Sequence, residues 1–90
     1  MKKDSDSLKD ILTILPLDVQ IHTRLSIDIA HRLELLMKEE GLTKKQFAEA
    51  LGRRPSEVTK WLSGEHNFTI GTLAMLSAFF NKSIIKVSND

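Results

Sequence analysis

A chain of 90 residues, 41% apolar and 28% charged, is long enough to bury one modest core and too short for a second folded domain. It has no cysteine, which excludes disulfides and thiolate metal sites, and its net charge of +1 excludes binding nucleic acid by bulk charge alone. The start, MKKDSDSLKD, follows its two lysines with acids, and the next apolar run is broken by Asp18, His22 and Arg24, so neither a signal peptide nor a membrane span is expected and the setting reads as cytoplasmic.

The first seven residues are polar. From Ser7, a suitable N-cap, Leu8, Ile11, Leu12 and Leu15 recur at helical spacing until Pro16, which predicts a short amphipathic helix. In Leu17 to Leu25 the apolar positions Val19, Ile21 and Leu25 fit strand alternation and helical period equally well, and the state stays open. Residues 1–25 are thus read as an N-terminal extension. Ser26 is expected to cap the next helix, in which Ile29, Ala30, Leu33, Leu36 and Met37 form one stripe while Asp28, Arg32, Lys38 and Glu39 face water. Gly41 ends it.

Thr43 and Gln46 have capping-box spacing, so a helix begins there, with Phe47, Ala48 and Leu51 as its buried edge and Gly52 just past its end. Arg53 and Arg54 then lead to Pro55, which suits the first position of a helix and pushes Arg54 toward the extended N-cap conformation. Val58, Trp61 and Leu62 point inward, and Gly64 stops this helix after two or three turns. Thr69 caps a last helix, Ile70 to Phe80, whose stripe is read as Leu73, Ala74, Ser77 and Phe80. That leaves Met75, Leu76 and Phe79 over as surface seeking a partner. Residues 83–90 close the chain with SIIKV, a short β-branched strand in which Ile84 and Ile85 are apolar.

Between Leu42 and His66, the cations Lys44, Lys45, Arg53, Arg54 and Lys60 face the acids Glu49, Glu57 and Glu65. The excess is small, so geometry has to carry any DNA-binding claim. The geometry is favourable, because two short helices meet at a tight turn and the second keeps a narrow apolar side against a polar outer side of Ser56, Glu57, Thr59 and Lys60. Enzyme chemistry has little to stand on. His22, His31 and His66 are scattered, none has a second histidine three or four residues away, and no nucleophile motif or glycine-rich phosphate loop occurs. No catalytic residue, metal or cofactor is expected.

The set Leu42-Thr43, Phe47-Ala48, Leu51-Gly52, Val58, Trp61 and Gly64, followed by Asn67 and Thr69 to Leu73, resembles the Xre/Cro-type helix-turn-helix domains of bacterial and phage repressors. The likeness runs from about Ile27 to Phe80. It implies an all-α, lambda-repressor-like bundle of four to five helices over residues 26–82, with the short C-terminal strand added. It also implies that Thr43 to Leu51 positions the domain while Pro55 to Ser63 enters the major groove. Family base-reading positions fall on Pro55, Ser56, Glu57 and Lys60, and since Pro55 has no donor, the expected base readers are Ser56, Glu57, Thr59 and Lys60. Lys60 can donate to guanine O6 or N7 and Glu57 can accept from cytosine N4, although Glu57 equally suits the positive end of its own helix. Lys44, Lys45, Arg53, Arg54, His66 and Asn67 are the expected phosphate contacts.

Such domains commonly bind twofold operators as dimers, and Met75, Leu76, Phe79, Ile84 and Ile85 are the expected homodimer surface. The stretch LSGEHNFTIGTLAML on so small a chain is similar to antitoxins of the HigBA type, which bind their own promoter and restrain an mRNA-interferase toxin. That likeness makes residues 1–25 the candidate toxin-binding segment. A solitary small repressor, or a protein-interaction module of the same fold without DNA binding, are the alternatives.

Overall fold

The computed structural model describes residues 14–88, so the helix expected from Ser7 to Leu15 falls almost wholly outside them. Among the described residues there are four helices and no strand: α1 (Leu17–Glu39), α2 (Lys44–Leu51), α3 (Pro55–Leu62) and α4 (Ile70–Phe80).

α1 settles the ambiguity of Leu17 to Leu25 in favour of helix. Pro16 serves as the cap, its carbonyl accepting from Val19 N–H and Gln20 N–H at 3.1 Å each, and Asp18 sits in the first turn where negative charge is favoured. The helix then runs 23 residues, about 34 Å, without a break. Ser26 is therefore not an N-cap. It lies mid-helix and buried, its hydroxyl 3.5 Å from His22 Nδ1, because nothing between Leu17 and Ser26 interrupts the helical hydrogen bonds. The expected stripe holds: Ile29, Ala30, Leu33, Leu36 and Met37 are all buried. The end of α1 is closed at Gly41 by two bonds, Gly41 N–H to Lys38 O (3.1 Å) and Leu42 N–H to Met37 O (2.9 Å).

α2 begins with a reciprocal cap. Gln46 N–H donates to Thr43 Oγ1 (3.1 Å) and Thr43 N–H donates to Gln46 Oε1 (2.9 Å). Thr43→Ala is expected to lower stability by about 1 kcal/mol, read as a shift in the urea midpoint at unchanged slope.

The core is centred on Phe47, which has no exposed surface. Its ring lies 6.0 Å from Trp61, 5.4 Å from Phe79 and 5.3 Å from Phe80, so α2, α3 and α4 meet in one aromatic cluster. Leu33, Leu36, Val58 and Leu76 are buried around it.

Two expectations about the C-terminal third are corrected here. On α4 the core stripe is Leu73, Leu76, Ser77 and Phe80, with Leu76 fully buried and Ala74 exposed. The helix is apolar all round, so its own pattern does not say which side faces in. The expected strand is also absent: the chain after Asn81 is irregular, and Ile84 turns into the core (6% exposed) with its N–H donating to Ser77 Oγ at 3.3 Å. Among the described residues no strand lies beside Ser83 to Val87, and burying Ile84 is favourable. Leu76 and Ile84 consequently belong to the chain's own interior and are withdrawn from the expected dimer surface, while Phe79 and Ile85 remain partly exposed.

Candidate nucleic-acid interface

The turn between α2 and α3 is made by residues 52–54. Gly52 takes a left-handed conformation (φ 69°), which a residue with a Cβ adopts only at a cost, and this lets Arg53 N–H reach back to Ala48 O at 2.8 Å. Arg54 is extended (φ −85°, ψ 145°) and Pro55 opens α3, as the chemistry of the dipeptide requires. Glu57 Oε1 accepts from Arg54 N–H at 3.4 Å; the arginine side chain has no acceptor to return the bond, so this box is one-sided.

α3 buries Val58 completely and Trp61 nearly so, and exposes Pro55, Ser56, Thr59 and Lys60 on the other side. Three of the four expected base readers are thus presented to solvent together. Thr59 spends its hydroxyl proton on Pro55 O (3.2 Å), which leaves it an acceptor. Lys60 is within ion-pair distance of no acid among the described residues, and all three of its donors are available.

Glu57 is different. It is half-buried at the edge of α3, and its Oε2 lies 3.3 Å from Arg53 Nη1, while Arg53 Nη2 reaches Met75 Sδ at 3.5 Å. Both carboxylate oxygens are engaged within the chain, so Glu57 is better placed to hold Arg53 than to accept from a base. Glu57→Gln keeps the acceptor for Arg54 N–H and releases Arg53 from its counter-charge. We expect tighter binding to DNA of any sequence and a steeper salt dependence, by about 0.9 in the slope of log affinity against log salt. Stability should fall by no more than about 1 kcal/mol, the worth of an exposed ion pair and a dipole contact. A loss of affinity confined to sites with cytosine at one position would instead make Glu57 a base reader.

The expected phosphate contacts divide into two groups. Lys44 and Lys45 are exposed in the first turn of α2, and Arg53 and Arg54 in the turn that leads into α3. Beyond the far end of α3, Gly64 (φ 82°) comes close to α1, a Cβ there standing 3.4 Å from Ile27 Cγ1, which fixes the direction in which the chain leaves. In the loop that follows, His66 packs edge-on against Phe68 (4.7 Å between ring centres), and Asn67 Oδ1 lies 3.3 Å from His22 Nε2 on α1. Arg53, Glu57, Lys60, Trp61, His66 and Thr72 surround one cleft of about 250 Å³ between α3 and α4.

Thr72, His22 and Gln46 were not expected at the site. Thr72 is recognisable only once α4 is seen to start beside α3. His22 belongs to a stretch whose helical state the sequence leaves open, and Gln46 keeps its amide N–H₂ donors beside Lys44 because the cap uses only its oxygen. Among the described residues no group of three or more histidines or carboxylates is placed to hold a metal, and no helix is long and apolar enough to cross a membrane.

A family model described as helix-turn-helix matches residues 33–87, more than half of the chain and all of α2, α3 and α4. No curated protein and no solved structure matches.

Proposed function

This chain belongs to the Xre-type helix-turn-helix family of DNA-binding transcription regulators, and we propose that it is a sequence-specific repressor acting in the cytoplasm, with α3 in the major groove of each half of a twofold operator. The observation that carries this reading is the division of α3: Val58 and Trp61 hold it to the core, so Ser56, Thr59 and Lys60 reach outward, away from the packing. Lys60 donates to guanine O6 or N7, and Ser56 and Thr59 add weaker contacts. Lys44, Lys45 and Arg54 fix register on the phosphates, with Arg53 held in reserve by Glu57 and with His66 and Asn67 beyond the far end of α3. No catalytic step is part of the proposal.

The test is fluorescence anisotropy with duplex from the region upstream of the chain's own gene, across a salt series. A log-linear fall in affinity with a slope of several times 0.9 is expected. Absence of any salt-sensitive complex at low ionic strength would sink the proposal.

The operator's symmetry calls for a homodimer. Support for one comes from α4, which carries no charged residue and exposes Ile70, Gly71, Ala74, Ala78 and part of Phe79. Small residues let a second helix approach closely, and leaving this face in water costs apolar area. A light-scattering series that finds only the 10.2 kDa species at every concentration would count against it.

The proposal extends to an antitoxin role, in which the N-terminal half of α1 holds an mRNA-interferase toxin. What supports it is the exposure of Leu17 (69%), Ile21 and Leu25 in the N-terminal half of α1. Co-expression with the product of the adjacent gene should give a complex that Leu17→Asp with Ile21→Asp disrupts while DNA binding survives. If no such complex forms, the solitary repressor is the better description.

A further inference from the structure

The segment Ser83 to Ser88 is tied down at its root and unpaired beyond it. Arg32 Nε–H donates to Ser83 O (3.2 Å), Lys82 pairs with Glu39 (3.0 Å), and Ile84 is buried. From Ile85 to Ser88, no backbone N–H or C=O bonds to any described residue. A row of unpaired backbone groups on β-branched residues is a template for an added strand.

Beside this row lies an open groove of about 430 Å³, lined by Arg32, Lys82, Ser83, Ile84, Ile85 and Lys86. Among the described residues three cations and no acid line it, and with Lys82 paired to Glu39 the uncompensated charges are Arg32 and Lys86. A second copy of the chain would bring these like charges against each other, so self-pairing is disfavoured. Duplex DNA is also poorly placed. Ile27, which touches the end of α3 at Gly64, and Arg32 are five residues apart and so point about 140° from each other around α1. The groove therefore opens on a different side of α1 from the reading helix.

We infer that this tail takes up an acidic, extended segment of another protein by strand addition. The backbone of that segment pairs with Ile85 to Ser88, its carboxylates meet Arg32 and Lys86, and its apolar residues cover Ile85 and the 86%-exposed Val87. The inference goes beyond DNA binding and does not depend on it.

The test uses the full chain and two synthetic ten-residue peptides, one alternating aspartate with valine and one alternating lysine with valine, followed by amide NMR. The acidic peptide should shift residues 83–88 and slow hydrogen exchange at Ile85 and Val87, and it should bind at least about tenfold more tightly than the lysine peptide. Lys86→Glu should weaken it about tenfold, and Val87→Pro, which removes a ladder donor without touching the core, should abolish the exchange protection. The inference is overturned by no tail shift at millimolar acidic peptide, by equal binding of the lysine peptide, by tail shifts that follow protein concentration without peptide, or by protection of the tail on adding duplex DNA instead.

Discussion

Phe47→Ala is expected to remove most of the stability of the domain and, with it, all DNA binding. A chain of this size holds together by about 5–10 kcal/mol, and truncating a fully buried phenylalanine costs about 3–5 kcal/mol. Phe47 stands at the upper end of that range because three other rings lie within 6.0 Å of it and each loses contact surface with it. The three helices it joins cannot close over the gap without moving Trp61, and Trp61 is what holds α3 at its angle. Urea unfolding followed by tryptophan fluorescence checks the prediction on a single probe. Phe79→Ala is the control: its ring touches the same cluster but is 37% exposed, so its loss should cost less than half as much. Equal costs for the two would show that the cluster is centred elsewhere.

Lys60→Ala is expected to leave folding unchanged and to weaken operator binding by about 1–3 kcal/mol, roughly 5- to 150-fold, with the loss concentrated at one base pair. Lys60 is exposed, pairs with no described acid, and projects from the last turn of α3, so its removal disturbs no packing. Arg54→Ala is the contrast. It should weaken every sequence alike and flatten the salt dependence by about 0.9, as a phosphate contact does. Arg53→Ala should flatten it less, because Glu57 already offsets its charge at 3.3 Å. Selection from a randomised duplex library separates the cases directly. If Lys60→Ala gives the same preferred sequence as the parent chain with uniformly lower affinity, Lys60 is a phosphate contact and the reading falls to Ser56 and Thr59.

Ser26 has the chemistry of a cap and no break before it, so its meaning depends on whether the preceding nine residues are helical, which their mixed periodicity does not decide. Leu76 and Ala74 are equally compatible with a face of α4 when read along the chain, since almost every neighbour on that helix is apolar. The SIIKV segment has strand propensity, but propensity creates no partner, and the buried Ile84 answers to a space left between α1 and α4. Glu57 and Arg53 are four residues apart on either side of a turn. They pair at 3.3 Å, and Arg53 also reaches Met75, twenty-two residues away.

What the sequence determined by itself was everything fixed within about four residues: the cap at Thr43 and Gln46, the left-handed turn at Gly52, the entry to α3 at Pro55 and the start of α4 at Thr69. Those bonds are local, so the residues that make them can be read in place, and together they set the helix-turn-helix and the outer side of α3. Which apolar residues of α4 are core and where Ile84 goes depend on packing between distant elements, and a uniformly apolar helix carries no mark of its distant neighbours.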